Sequence, residues 1–534
     1  MRPGSPRIFL VLLSAAGGFA CSPGERGVDP RLAAELSLPG PGAAAYGEPA
    51  APNRWSRNIS REVQPLMERP PVPDACLDRA AQLLGAHLGP DCALWPSWIE
   101  AEAAQHAGCA DEPADYQVVC SRGLRREDLS AELARRLPDK VQATHFGTAR
   151  IQRGLLETAW VLLTAERGVS LDPFPRRTEP RILNRLSFEL APGLDKPRVY
   201  AMRPDGAVDP LDVLAGTGTG RYVSYFAPDK TGRHWLEILA EGSEGPRVVA
   251  LYPVFVGVAP PAAARRPAPA GADPATAAEA EGVLLGWLNE ERAQRGIPML
   301  EPEPALAAAA RSWSGEMLAR GRVAHVSPDG RGPEHRAREA GYSARMLGEV
   351  LASGSTLREA HEALLASPAH KAGMLDPRFT EAGIGVAIRE EAGRRGFFVS
   401  EELGVPTRIL SPLEAAGIVA ERVFRHRELM SLPAPFRSPD LDAAATRLAE
   451  DLAPEPSGGE SAALQRGLRR ALASVGWSGA ASASLQFVLD PEEVVLPAEF
   501  EAPEGLSCGI GAAYRPDPTM GGTTLILLIT SVER

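Results

Sequence analysis

A chain of 534 residues is too long for one hydrophobic core and calls for about three or four domains of ordinary size. With 44% hydrophobic and 23% charged residues it is a folded, globular chain, and its formal charge of −11 excludes a general nucleic-acid binder. Gly 52 and Pro 50 leave room for linkers between the domains.

The first 20 residues predict a signal peptide. Arg2 and Arg7 form a positive start, Ile8 to Ala16 an apolar core too short to anchor permanently, and Gly18-Phe19-Ala20 precedes Cys21. The small residue before Cys21 and the Ser22-Pro23-Gly24-Glu25 segment after it are similar to a bacterial lipoprotein, so lipidation is expected at Cys21. The chain would then be held to a membrane of the cell envelope, and Ser22 points to the outer membrane. Cleavage by ordinary signal peptidase, giving a secreted soluble protein, is the alternative. Residues 21–60, rich in Gly, Pro and Ala, are expected to be a flexible tether.

Cys76, Cys92, Cys109 and Cys120 follow in a cluster, suited to two disulfides in an oxidising compartment. None of their gaps has the spacing of a zinc knuckle or ribbon. Cys508, in Leu506-Ser507-Cys508-Gly509-Ile510, is expected to be a buried, inert sulfur.

Three helical stripes repeat along the chain. Leu77, Ala80, Ala81 and Leu84 follow Pro73-Asp74; Leu306, Ala309, Ala310 and Trp313 follow Pro304; Leu441, Ala444, Ala445 and Leu448 follow Pro439-Asp440. Each set falls at i, i+3, i+4 and i+7, and proline near a helix start removes no needed amide donor. Strand-like runs follow at His145–Ile151 with Trp160–Leu163, at Gly383–Ile388, and at Gly509–Tyr514 with Thr524–Ile529. These define αβ units over residues 61–168, 278–405 and 410–534. Between the first and second lies a different texture: 175–258 carries strand runs such as Arg198–Met202, Tyr222–Phe226 and Val248–Val256 separated by turns, the size of a small β-sandwich. A Pro/Ala linker follows over 259–277.

Only the middle unit carries a polar constellation. Ala324-His325-Val326-Ser327-Pro328-Asp329-Gly330, Gly348-Glu349-Val350 and Ser367-Pro368-Ala369-His370-Lys371 contribute two imidazoles and a carboxylate from the ends of predicted elements. His325 lies just beyond the helix expected from about Pro304 to Arg320, and His370 follows a Ser-Pro helix start. Taken singly, a histidine beside a turn is more often a hydrogen-bonding residue than a ligand. Two neutral imidazoles and a carboxylate facing one point can nevertheless hold a divalent ion, zinc being the ordinary choice.

In order and spacing these segments resemble the CAP superfamily, the SCP domain of cysteine-rich secretory, antigen 5 and pathogenesis-related proteins. The resemblance implies an α+β fold, a CAP-type αβα sandwich here flanked by degenerate CAP-like αβ units and the small β-sandwich, and an open cleft in which His325, Glu349 and His370 converge as metal ligands. The chain departs from the family pattern at Val350 after Glu349, at Leu364 where a Trp is usual, and at Ala369-His370-Lys371 in place of Gly-His-Arg. The second glutamate of many relatives would fall near Ser367, where this domain has no carboxylate; Glu362 is the nearest substitute.

Other motifs dissolve on inspection. His361-Glu362-Ala363-Leu364-Leu365 lacks the second histidine of a zinc-protease helix, His335 and Glu339 suit a solvated i,i+4 pair, and Gly216–Gly220 lacks the strand-to-helix setting of a dinucleotide site. The expected function is binding, of a divalent metal and of a further ligand or envelope partner in the cleft. A metal-dependent hydrolase with Glu349 as general base and a non-catalytic structural envelope protein are the alternatives.

Overall fold

A computed structural model describes residues 30–36, 45–89, 92, 95, 97–111, 115–122, 129–134, 143–153, 157–259, 273–391, 394–407, 410–453, 460–488, 490–503, 505–515 and 523–532. The leader, Cys21 and most of the Pro/Ala segment lie outside them. By backbone contacts the chain divides into two compact units, one comprising residues 1–340 and 347–404, the other 341–346 and 405–534.

The fold is α+β, and one sheet topology occurs in it three times. In the CAP-like middle region, Glu301–Pro302 pairs in parallel with Glu381–Glu391, which forms an antiparallel hairpin with Arg394–Pro406, and Ala344–Gly354 closes the far edge. The first region repeats the order with Val72–Pro73, His145–Arg153, Glu157–Ala165 and Asp115–Arg122. The last repeats it with Phe436–Arg437, Leu506–Arg515, Thr523–Val532 and Ser482–Val488.

Each sheet carries a helix begun at one of the stripes seen in the sequence: Ala75–Ala86 capped by Asp74, Pro304–Arg320 capped by Glu303, and Pro439–Leu452 capped by Ser438. In every case the cap's side-chain oxygen accepts from an amide of the first turn, and in the latter two proline supplies a preset first φ. The stripes Leu77, Ala80, Ala81, Leu84; Leu306, Ala309, Ala310, Trp313; and Leu441, Ala444, Ala445, Leu448 are all buried.

Glycine permits the helix to lie directly on the strand. A Cβ on Gly383 would stand 2.1 Å from the Leu306–Ala307 backbone, and one on Gly385 2.1 Å from Ala310. Gly509 and Gly511 would meet Leu441 and Ala445 at 2.2 Å, and Gly147 would meet Leu77 at 2.2 Å. A buried arginine recurs as well. Arg292 donates to the carbonyls of Pro298, Met374, Asp376 and Phe379, and Arg427 to those of Pro433, Phe500 and Ala502. Each guanidinium satisfies carbonyls that irregular loops would otherwise leave unpaired.

In the first region Cys76 bonds Cys109 and Cys92 bonds Cys120, and Cys508 in the last is free and buried. The β-sandwich packs a five-stranded sheet, built around Asp195–Met202, Gly232–Gly242 and Gly245–Val256, against a four-stranded one containing Asn184–Leu190 and Arg221–Phe226. It starts earlier than the sequence suggests, because Val169–Leu171 already pairs with Asn184–Leu190.

The tether expected over 21–60 requires correction. Pro30–Leu36 is helical with Leu32 fully buried, and Ala45–Tyr46 pairs with Phe174–Pro175, the Tyr46 hydroxyl donating to Pro253 O at 2.7 Å. A helix at Arg54–Val63 buries Ile59 and Val63. A few large apolar residues, spaced too widely to make a periodic pattern, are enough to dock this segment.

Candidate functional site

The helix Pro304–Arg320 ends at Gly321, whose φ of 63° turns the chain sharply back. Three residues on, Ala324 O accepts the Trp313 indole N–H at 2.9 Å, fixing the segment that presents His325. Glu349 lies in the edge strand Ala344–Gly354, and His370 in the short helix Pro368–Met374, where the Ser367 hydroxyl accepts the His370 amide. None of the three is open to solvent: His325 is 1%, Glu349 2% and His370 0% exposed. The open cleft implied by the resemblance is therefore covered.

His325 Nδ1 lies 2.5 Å from Glu349 Oε1. A carboxylate can only accept, so Nδ1 carries the proton and Nε2 its lone pair. The other Glu349 oxygen accepts from Arg336, whose guanidinium lies 3.9 Å over the Trp313 ring and also donates to His325 O at 3.0 Å. Burial pushes Glu349 up, but the Arg336 charge and the His325 hydrogen bond outweigh it and hold the carboxyl below its usual range.

His325 Nε2 and both ring nitrogens of His370 are buried without a hydrogen-bond partner. Burial keeps His370 well below its ordinary value, so it is neutral. Beside Glu349 sits Glu402, fully buried; burial, and then repulsion from Glu349, hold its carboxyl protonated.

These residues offer two imidazole lone pairs, while Glu349 is committed on both oxygens. The free nitrogens are a chemically suitable donor set for a divalent ion, while Glu349 can only orient His325 from behind, in the manner of an outer-sphere carboxylate. Among the described residues, the trio of potential ligands with donor atoms all within 4.8 Å of one another is Asp74, Cys76 and Cys109. There the cysteines are joined as a disulfide and Asp74 pairs with Arg167 at 2.9 Å.

Glu362, the nearest substitute for a second glutamate, is half-buried in the helix Leu357–Ala366. His361 packs on Trp287, burial bringing it down to about 4, and His335 makes a surface pair with Glu339 at 3.4 Å. Sequence reasoning missed Arg336, Glu402 and Glu237. For the two glutamates a signal existed: Glu237 is a carboxylate inside the otherwise apolar run Leu236–Ala240, and Glu402 stands with Glu401 inside the strand Arg394–Pro406.

Glu237 belongs to the β-sandwich strand Gly232–Gly242 and is fully buried. It accepts the Ser367 hydroxyl at 2.6 Å and the Ala369 amide at 2.7 Å.

Residues 285–401 match the family model described as CAP, cysteine-rich secretory protein family. A Bacillus subtilis protein, described as uncharacterized protein YkwD, is 29% identical over 126 residues, which are 23% of this chain and 49% of that relative; the chain thus spans about half the relative's length. Among solved structures, an outer surface protein of Borrelia burgdorferi is 23% identical over 26% of this chain and 99% of its own, with a TM-score of 0.23. An extracellular SCP-domain protein of Bacillus anthracis is 14% identical over 44% of this chain and 85% of its own, with a TM-score of 0.22.

Proposed function

Because residues 285–401 match the CAP family model, we propose that the chain is an exported binding protein of the cell envelope, holding a divalent metal such as zinc between His325 and His370. The observation that carries this reading is the buried pair of imidazoles whose free ring nitrogens, His325 Nε2 and those of His370, meet no protein partner. Leaving such groups unpaired costs about 1–3 kcal/mol each, a cost that ligation relieves.

Glu349 fixes the His325 tautomer, and Arg336 and the Trp313 ring beneath it fix Glu349. This favours binding over the hydrolytic alternative. A carboxylate buried, bonded on both oxygens and held below its usual range is a poor general base at neutral pH. Attachment through a lipid at Cys21, with an envelope partner or second ligand, belongs to the same proposal. No helix among the described residues is long and apolar enough to cross a membrane.

The test is titration of the full chain with Zn²⁺ or Co²⁺ by calorimetry and visible absorption. Saturable one-to-one uptake, lost in His325→Ala and in His370→Ala, is the expected result. No uptake by the wild-type chain, or uptake unchanged in both variants, overturns the reading.

A further inference from the structure

The covering of the imidazoles comes from outside the CAP domain. The turn joining Gly232–Gly242 to Gly245–Val256 lies against His325: Glu244 O accepts the amides of His325 and Val326, both at 3.1 Å, and a Cβ on Gly245 would stand 2.8 Å from His325 Cβ. The Glu244 carboxylate pairs with Arg320 at 3.2 Å and Arg322 at 2.5 Å, at the end of the helix leading to His325. On the same sheet Leu239 packs on Ala369, with Tyr200 and Val248 beside it.

Between these contacts stands Glu237. A carboxylate at 0% exposure in a strand interior needs partners, and Ser367 Oγ and Ala369 N, both just before His370, donate to it. The CAP domain has no carboxylate of its own at Ser367.

We infer that the imidazole pair lies in a chamber built by two domains, Glu237 of the β-sandwich supplying the carboxylate that holds the His370 segment and the Gly245 turn sealing His325, so that a divalent cation enters only when the sandwich parts from the CAP domain. Glu237 is a positioning residue; it acts through Ser367 and Ala369. The clamp is suited to reversible opening, since two of its anchors are carboxylates that water can solvate once the faces separate, and interfaces between domains of one chain commonly allow relative motion. The inference rests on His325 and His370 being the site.

Its test needs no metal. Diethyl pyrocarbonate modifies neutral imidazoles, and mass spectrometry of the full chain reads each histidine separately. His335, 49% exposed, marks free reaction, while His361, 4% exposed and packed on Trp287, marks the intactness of the CAP interior. In the wild type, His325 and His370 react at least about tenfold more slowly than His335.

In the double variant Glu237→Gln with Glu244→Ala, their rates rise severalfold while His361 stays protected, and the single variants fall between. Equal rates at His325, His370 and His335 in the wild type overturn the inference, as do unchanged rates in the double variant. A rise that includes His361 also overturns it, by tracing the effect to general loosening. Because this readout is independent of metal uptake, a chain that fails to bind metal but protects both histidines refutes the proposed function and leaves the chamber standing.

Discussion

The hydrogen bond from His325 Nδ1 to Glu349 Oε1, 2.5 Å long, lies between two side chains neither more than 2% exposed, and Arg336 closes it from the other carboxylate oxygen. A buried charge network of this kind has large consequences when one member is removed, because the others are left unpaired.

Glu349→Gln places an amide group against Arg336 or His325, where an acceptor is required. The CAP region is expected to lose about 3–5 kcal/mol. Hydrogen exchange over residues 344–354 in a denaturant series measures this without interference from the other domains. A loss below about 1 kcal/mol would show the guanidinium to be satisfied elsewhere.

His370→Leu should separate stability from binding. Both ring nitrogens are unpartnered in a fully buried site, so an apolar side chain of similar size removes an unmet polar demand. The metal-free protein is expected to melt at the same temperature or a few degrees higher, while any shift of the melt by Zn²⁺ disappears. A marked fall in the melting temperature without metal would mean that the imidazole has a partner after all.

Glu401 gives a pH dependence with a definite sign. Burial alone raises its carboxyl from 4.5 to about 8. The folded chain therefore holds a proton that the unfolded chain has released, and stability falls as pH rises through that window, levelling off above it. Glu401→Gln removes this part of the slope, so the variant's stability relative to wild type grows between pH 5 and about 8 by on the order of a few kcal/mol. A parallel pair of pH profiles contradicts the assignment.

Arg292 and Arg427 are buried counterparts in the two compact units. Arg292→Met and Arg427→Met each strip several carbonyls of their donors and should each cost about 3 kcal/mol or more, confined to the unit that contains the change. Region-resolved hydrogen exchange checks this: loss of protection at 285–291 in the first variant and at 415–426 in the second. Protection lost everywhere in either variant would show the units to unfold as one.

Much of the scaffold was legible because local and tertiary demands coincide. Pro304 and the stripe ending at Trp313 gave the helix Pro304–Arg320 with both ends in place, and the clustered cysteines gave two disulfides. His325 and Glu349, read as two members of one site, are in direct contact.

The covering of that site was not legible, since Glu237 and Gly245 sit in a β region whose alternation shows which face is buried but never against what. Arg336 was hidden for a related reason. Its sequence neighbours His335 and Glu339 make the visible surface pair, while its own side chain turns inward onto Trp313 and Glu349. Leu32 and Tyr46 were lost within a stretch of low periodicity, although one buried tyrosine can dock such a segment.

The bare glycines beneath the three helices, Gly147, Gly383 with Gly385, and Gly509 with Gly511, fix the distance between helix and strand by main-chain contact alone. That spacing owes nothing to any imidazole or carboxylate, so a copy can shed its reactive groups, or acquire new ones, without remodelling its frame. Alanine at Gly385 should injure the domain more than alanine at His370, and the durable inheritance of this chain is a missing methyl group rather than a ligand.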